Sequence, residues 1–396
     1  MLNAITKAGF LISLAGNSDK EALRKLRSQT LFCPCCKTPV LLKAGSIKIP
    51  HFAHLKNASC SASSEPESEY HLLGKKELFK LLISHGYDAM LEAYIPEIRQ
   101  RADILVRTDS QILAIEFQCS TVSEAVFQKR TNAYIQQDIL PVWVLADKNV
   151  KALQKNEYSL STFQWLFLSG PSNKAAIQTF CPHRKQLYAL SQFIPYTKRK
   201  TIALKSLLPP EALITHSFRQ NIRGLLPYLP QWRAYRSSWP AKRVFSSNAK
   251  DPLLNSLYIN HISPSYLPVE VGVPVKEMYL FETPSVEWQT WLFLDVFFGK
   301  PQGALISLKE CNHAISSRIK QGYIQMRNLP LIEASGFKSV IENYILFLMN
   351  SGYLHRIRKG KFRLVEPFCI AQTAEQWHEM EKDFYFKHQD HFQKKS

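Results

Sequence analysis

The sequence predicts a mixed α/β protein with three parts: a small N-terminal module, a central α/β domain and a basic, mostly helical C-terminal region. Three observations support this prediction. Four of the eight cysteines lie between residues 33 and 60, β-type apolar runs alternate with helical patterns up to residue 145, and helical patterns dominate after residue 209. At 396 residues, the chain is longer than one hydrophobic core usually supports. We place the parts at residues 1–64, 65–150 and 151–396.

The composition excludes a disordered chain, because 45% of the residues are hydrophobic and 21% are charged. No apolar run approaches the roughly 18 residues that span a bilayer, so we expect no membrane insertion. The N-terminus has one early lysine and a brief apolar patch, which make a poor export signal. We therefore expect reduced thiols and a cytoplasmic protein.

The cysteines and histidines between residues 33 and 60 have the spacing of a structural zinc site. Cys33-x-x-Cys36 lets two thiolates reach one ion from a turn, and further ligands follow a short predicted β-hairpin. We interpret His51 as a substitute ligand or as a donor to a ligand, and Cys35 as a reactive bystander or a core residue. A redox-active or merely buried cysteine cluster is the alternative. The favoured ligands are Cys33, Cys36, His54 and Cys60.

A helix is predicted next, and it carries Glu67, His71 and Lys75. Their i, i+4, i+8 spacing places these three side chains along one helix face. Gly74 lowers the helix propensity, which suggests that the backbone closely approaches a ligand at this position. The three polar residues form either part of a site or a solvated helix face.

Residues 101–107 and 112–120 form two β-type runs joined by a polar turn, which predicts an antiparallel hairpin. In the simplest register Arg107 faces Ile112, and Asp103 then lies opposite Glu116, with Gln118 on the same face as Glu116. Like charges opposite one another are destabilising, so a pair of carboxylates indicates a divalent cation. Edge or solvent-facing carboxylates are the alternative.

A second helix and a buried strand complete the central pattern. Ser123 caps a helix that runs to about Gln137 and carries Arg130 and Tyr134 at i, i+4. The run 141–145 is continuously apolar, as in a buried strand. The predicted order is therefore helix, three strands, helix, strand.

The C-terminal region carries most of the net charge of +18. Between residues 184 and 250, thirteen lysines and arginines accompany one acidic residue, which indicates a polyanionic partner such as nucleic acid. Aromatic rings alternate with arginines between residues 228 and 239, a pattern that suits single-stranded nucleic acid; alternatively, the rings belong to the core. The candidate DNA-binding residues here are Lys198, Arg199, Lys200, Arg233 and Arg236.

Secondary structure is predicted less sharply in this region. We expect a strand at residues 163–168 and a helix near residues 184–192. Further helices are predicted at residues 286–298, 305–321 and 337–349, followed by a basic hairpin around Lys359-Gly360.

The ordered motifs together resemble the competence protein CoiA family. They are Cys33-x-x-Cys36, His51-Phe-Ala-His54, Cys60, His71-x-x-x-Lys75, Ala102-Asp103, Glu116-Phe-Gln-Cys-Ser120, Arg130-x-x-x-Tyr134 and Val142-Trp143. The resemblance spans about residues 30–145. It implies a cytoplasmic bacterial factor needed for natural transformation, with a zinc-finger-like module and a PD-(D/E)XK nuclease-like domain of restriction-endonuclease-like fold.

The resemblance also implies roles for individual residues. Asp103 and Glu116 become ligands of Mg²⁺ or Mn²⁺, and Gln118 takes the position where such nucleases usually carry a lysine. Glu67 or Glu69 is the candidate helix-borne acid, and Lys75 the candidate replacement for the missing cation. Arg130 and Tyr134 are candidate DNA contacts.

The implied substrate is internalised single-stranded DNA or the branched intermediates of recombination, with recombination proteins as partners. The alternative is a non-catalytic, DNA-binding recombination mediator that retains a degenerate nuclease fold.

Overall fold

The computed structural model describes residues 1–16, 19–45, 49–55, 60, 67–215, 228–247, 250–332 and 336–393. Its described strands form three sheets. No helix in these ranges is long and apolar enough to cross a membrane.

The N-terminal module contains a five-stranded sheet in the order β2-β1-β3-β4-β5. The predicted hairpin is present, because β4 and β5 pair antiparallel and place Val40 opposite His54. A short helix capped by Asp19 precedes β3. The elements are β1 (Asn3–Ile5), β2 (Leu11–Ser13), α1 (Lys20–Arg27), β3 (Leu31–Phe32), β4 (Pro39–Lys43) and β5 (His51–His54).

The central domain has the predicted order of helix, three strands, helix and strand. Ser68 and Ser123 cap the two helices through their side chains, as their hydroxyls accept from backbone N–H groups of the first turn. The predicted register is confirmed, because Arg107 pairs with Ile112. The elements are α2 (Glu69–Ser84), β6 (Asp88–Ile95), β7 (Gln100–Arg107), β8 (Ile112–Gln118), α3 (Glu124–Ile135) and β9 (Ile139–Ala146).

The sheet of the central domain continues to residue 208, beyond the position at which the sequence pattern suggested its end. The helix predicted near residues 184–192 is wrong, because this segment is strand β14, paired on both sides with β13 and β15. The strand predicted at residues 163–168 is also wrong: this segment begins as a short helix, and strand β12 starts only at Leu168. The elements are β10 (Lys151–Gln154), β11 (Glu157–Ser159), α4 (Thr162–Trp165), β12 (Leu168–Gly170), β13 (Ala176–Cys181), β14 (Gln186–Pro195) and β15 (Lys200–Leu208).

The C-terminal part is mostly helical and contains a small sheet in the order β16-β19-β18. The three predicted helices and the basic hairpin are all present, and β17 joins the central sheet beside β12. The elements are α5 (Glu211–Thr215), α6 (Leu229–Ser246), α7 (Pro252–Ile259), α8 (Ser285–Leu292), which continues as a π-helical turn (Phe293–Phe297), β16 (Leu305–Ser307), α9 (Leu308–Lys320), β17 (Leu331–Ile332), α10 (Gly336–Asn350), β18 (Leu354–Arg358), β19 (Lys361–Leu364), α11 (Ala374–Lys387) and α12 (Gln389–Gln393).

The large sheet lies between two hydrophobic cores, and alternate residues of β9 contribute to each. Val142 and Val144 join a core shared with α2 and the N-terminal module. Trp143 and Leu145 join a larger core shared with α3 and the C-terminal helices. The period of two along an extended strand produces this division.

Candidate active site and zinc cluster

A Cys₃His cluster connects the N-terminal strands. The candidate ligand atoms of Cys33, Cys36, His54 and Cys60 all lie within 4.8 Å of one another, and these residues could hold a metal ion. The Sγ of Cys36 is 3.4 Å from Nε2 of His54. Three thiolates and one imidazole suit tetrahedral Zn²⁺. His51 lies outside this group, and its Nδ1 is 2.9 Å from the carbonyl oxygen of Ile49.

The two predicted carboxylates occupy neighbouring strands of the central sheet, Asp103 on β7 and Glu116 on β8, and both are buried. Oδ2 of Asp103 accepts a hydrogen bond from the backbone N–H of Phe117 at 3.0 Å and lies 3.2 Å from Nε2 of His71. Burial opposes the charge of Asp103. Nearby His71 and Lys75 outweigh this effect, so the pKa of Asp103 lies below its ordinary range.

Glu116 is held by helix α3. Nη2 of Arg130 donates to Oε1 of Glu116 at 2.6 Å, and the hydroxyl of Tyr134 donates to the same oxygen. The i, i+4 spacing predicted from the sequence directs both side chains to this carboxylate. Burial raises the pKa of Glu116 despite Arg130, and the charge of Asp103 raises it further.

Tyr134 is fully buried, so the prediction that it contacts DNA is not supported by its position. Arg130 is about one-third exposed and engaged with Glu116. Both residues orient the carboxylate.

Lys75 lies fully buried at the centre of a carboxylate cluster. Its Nζ donates to Glu67 and, at 2.6 Å, to Glu92, and lies 3.7 Å from Oδ1 of Asp103. Burial disfavours the ammonium, but the three carboxylates outweigh it and raise the pKa of Lys75. Helix α2 begins at Glu69, so Glu67 precedes the helix and does not lie on it as predicted. Glu67 nevertheless contacts His71 and Lys75, and the three residues form part of the candidate site and not a solvated surface.

Glu92 is the buried member of this cluster that sequence reasoning missed. It lies on β6 with a φ of +50°, between Leu91 and Ala93, both of which pair with β7. Its Oε2 accepts hydrogen bonds from the backbone N–H groups of Leu2 and Asn3 at 2.8 and 3.0 Å. A glutamate inside an apolar strand was the available signal, whereas the left-handed backbone conformation has no sequence signature in a glutamate.

Gly74 has a packing role that differs from the predicted approach to a ligand. A Cβ at this position would lie 1.9 Å from Cε1 of Phe117, so only glycine lets α2 rest on this ring. Phe117 follows Glu116 directly. Close packing at Gly74 therefore fixes the distance between the α2 residues and β8.

Gln118 has the predicted position on β8 and is buried. Its Nε2 donates to the carbonyl oxygen of Ser120 at 2.8 Å. The side chain carries no charge. The cations beside the carboxylates are Lys75 on α2, Arg130 on α3, Arg101 on β7 and the N-terminal ammonium.

The basic candidates of the C-terminal region divide into two groups. Lys198, Arg199 and Lys200 form an exposed turn between β14 and β15, with Lys198 paired to Glu282. Arg236 is buried and donates to the carbonyl oxygens of Pro268 and Val269, so the prediction that it binds DNA is wrong for this position.

The neighbouring rings belong to the core, which settles the alternative left open by the sequence. Trp232, Tyr235 and Trp239 are buried. Arg233 lies nearer the surface and pairs with Glu381 at 3.1 Å.

The acidic pair fits a hard divalent cation. Asp103 and Glu116 offer oxygen ligands from adjacent strands, and Mg²⁺ is commonly held by one or two carboxylates together with substrate phosphates. Burial, and then the charge of Asp103, raise the pKa of Glu116, and a cation there would favour its ionised form. Within the described residues, only the Cys₃His cluster brings three or more candidate ligands together, so further ligands at the acidic pair would be water or phosphate.

A Cys₃His module joined to an α/β domain with a buried Asp–Glu pair on adjacent strands fits a nuclease-like protein. Models of the competence protein CoiA match almost the whole chain: the N-terminal domain at residues 15–63, the nuclease-like domain at residues 67–221 and the C-terminal domain at residues 227–394. The chain belongs to the CoiA family.

A curated relative that matches most of the chain supports this assignment. "Competence protein CoiA" of Bacillus subtilis (strain 168) is 32% identical over 346 residues, which cover 87% of this chain and 92% of the relative. No solved structure matches the chain.

Proposed function

We propose that this protein is a competence factor for natural transformation and acts as a metal-dependent DNA nuclease in the cytoplasm. The central observation is the buried pair Asp103 and Glu116, held on adjacent strands by His71 and Arg130. The order of the central elements supports a restriction-endonuclease-like core of the PD-(D/E)XK type. The family membership supports the role in competence.

Asp103 and Glu116 would hold Mg²⁺ or Mn²⁺, which when bound polarises a phosphate and lowers the pKa of a bound water. The chain itself keeps these ligands ready. His71 and the N–H of Phe117 fix Asp103 in its ionised form, and Arg130 and Tyr134 orient Glu116. Gln118 can donate and accept hydrogen bonds near a phosphate or water but cannot neutralise charge.

The buried ammonium of Lys75 balances the negative charge of the neighbouring carboxylates. Because it is fully buried and contacts Glu67, Glu92 and Asp103, it stabilises their ionised forms and does not reach a bound DNA. The absence of a charged lysine at position 118 thus predicts slow cleavage.

Metal binding distinguishes a nuclease from a non-catalytic recombination mediator. The uncharged Gln118 favours the mediator, whereas the oriented carboxylates favour the enzyme. We expect zinc-loaded protein to bind Mn²⁺ outside the zinc cluster, as measured by the loss of the free Mn²⁺ signal in electron paramagnetic resonance. Asp103→Asn and Glu116→Gln should each weaken binding at least about tenfold.

Glu97→Gln, at an exposed residue of the same domain, is the matched control and should bind like the wild type. Equal Mn²⁺ binding by all four proteins would rule out the acidic pair as the metal site and favour the mediator.

We propose that the turn Lys198–Lys200 contacts the DNA backbone, with internalised single strands or branched intermediates as substrates and recombination proteins as partners. Each phosphate contact on a single strand contributes about 0.7 to the salt dependence of binding. Replacing Lys198, Arg199 and Lys200 by glutamine should therefore reduce the magnitude of the negative slope of log K against log salt by about 2.

The control replaces three exposed lysines outside the basic stretch, Lys309, Lys320 and Lys338. An unchanged slope in the 198–200 variant, or an equal change in the control, would contradict this contact.

A further inference from the structure

A cavity of about 420 Å³ lies in the C-terminal part, far along the chain from the acidic pair. This volume is within the roughly 300–1,000 Å³ range of small-ligand pockets. Its wall combines Glu270 and Tyr353 with Glu366 and with residues near the end of α11, including Phe384 and His388. Residues that are distant in sequence therefore line the same cavity.

Two polar atoms in the wall are buried without a hydrogen-bond partner in the described structure: Oε2 of Glu270 and Nε2 of His388. Only 2% of Glu270 and 9% of His388 is exposed. The hydroxyl of Tyr353 favours the charged form of Glu270 but does not form a hydrogen bond with Oε2. Buried polar atoms of this kind are costly unless a ligand or water satisfies them.

The charges around the cavity indicate the sign of the charge on its ligand. Three carboxylates line it, those of Glu270, Glu366 and Asp383, against the single ammonium of Lys387. The protein as a whole carries a net charge of +18. A locally acidic cavity in a basic protein repels nucleic acid and phosphate and attracts a cation.

We propose that this cavity binds a guanidinium group, supplied by an arginine side chain of a partner protein or by a small guanidinium compound. A guanidinium is planar and donates in a fork, so it can satisfy a carboxylate oxygen and an imidazole nitrogen together. Tyr353 and Phe384 also line the cavity, and an aromatic ring attracts a cation that lies over its face. The proposal is independent of the nuclease function.

Binding of the cation will be coupled to proton loss from Glu270. Burial raises the pKa of Glu270 to about 7, although Tyr353 and Arg236 oppose this shift, and Glu366 adds to it. Burial lowers the pKa of His388, so the imidazole is the neutral neighbour of this carboxyl. A bound cation favours the ionised carboxylate. Affinity should therefore rise as the pH increases from 6 to 8.

The other ionisable groups that face this carboxyl are Tyr344, whose hydroxyl donates to the backbone carbonyl of Glu270, and Asp383 and Lys387 in the cavity wall. The pKa of Tyr344 is raised well above its ordinary range by burial, so Tyr344 stays neutral across this interval.

The test is titration calorimetry of the full-length protein with N-acetylarginine amide, using N-acetylcitrulline amide as the uncharged isostere. We expect saturable binding of the arginine compound at pH 8, and at least about tenfold weaker binding of citrulline. Glu270→Gln should reduce arginine binding to the level of citrulline and abolish the pH dependence. Glu379→Gln, at an exposed position of α11, should leave both unchanged.

If Glu270→Gln lowers the melting temperature, Asp383→Asn at the rim of the cavity provides a second test. Asp383→Asn should weaken arginine binding, but by less than Glu270→Gln.

A tripeptide with a central arginine distinguishes a partner protein from a small guanidinium compound as the source of the ligand. Binding of the peptide as well indicates a protein ligand, whereas binding of the amide alone indicates a small molecule. No saturable binding, or equal binding of arginine and citrulline, would overturn the proposal.

Discussion

At the scale of single residues, the candidate active site consists of buried carboxylates whose charge must be compensated. Glu92, Asp103 and Glu116 are each nearly inaccessible to water, and an uncompensated carboxylate there would be protonated. Lys75, His71 and Arg130 provide the compensation through direct contacts. The carboxylates that we propose as metal ligands are thus already oriented, as catalysis by a bound metal requires.

Replacing Lys75 by methionine tests this compensation. The substitution leaves Glu67, Glu92 and Asp103 without their shared ammonium, so we expect a loss of about 3–5 kcal/mol in the free energy of unfolding. Urea denaturation measures it. Lys76→Met, at the neighbouring half-buried lysine, should change stability by less than about 0.5 kcal/mol. Equal effects of the two substitutions would show that the ammonium of Lys75 does not balance these carboxylates.

Sequence reasoning located the residues whose positions follow from periodicity. Asp103 and Glu116 came from a hairpin register, and the α2 residues came from helical spacing. Glu92 was missed because its side chain enters the cluster through a left-handed backbone conformation. Arg236 was misjudged because a basic segment does not reveal which arginine folds inward to bind backbone carbonyls.

At the scale of elements, strong local patterns predicted the central helices and strands, whereas the predictions for residues 163–168 and 184–192 were wrong. Leu187 and Leu190 in β14 have a spacing of three that also suits a helix. Pairing with β13 and β15 decides the conformation, and such long-range contacts are not visible in the local sequence. The extension of the central sheet to residue 208 was not predicted for the same reason, because it also depends on pairing between strands that are distant in sequence.

The strands of the N-terminal module are only two to five residues long, so we expect a metal ion in the Cys₃His cluster to stabilise the module. We expect purified protein to contain zinc, and Cys36→Ser to lose it together with thermal stability of the module. Elemental analysis and melting curves measure both. Cys35→Ser is the matched control, because Cys35 lies outside the cluster. A metal-free wild type, or equal zinc loss in both variants, would refute the zinc assignment.

At the scale of the whole molecule, the large sheet separates two hydrophobic cores, and different elements cover its two faces. The N-terminal module and α2, with its residues His71 and Lys75, cover the face that carries Val142, while the C-terminal helices cover the face that carries Trp143. The exposed turn at Lys198–Lys200 belongs to the same sheet as Asp103 and Glu116. A DNA strand held by that turn would therefore be held by the framework that carries the carboxylates.

The most direct test of the nuclease proposal is cleavage of labelled single-stranded, double-stranded and branched DNA by the zinc-loaded protein with Mg²⁺ or Mn²⁺. We expect slow, metal-dependent cleavage that falls at least about 100-fold in Asp103→Asn and in Glu116→Gln, with DNA binding retained. The preferred DNA form would identify the substrate. No cleavage of any form by a protein that binds DNA, or cleavage unaffected by both substitutions, would contradict the account.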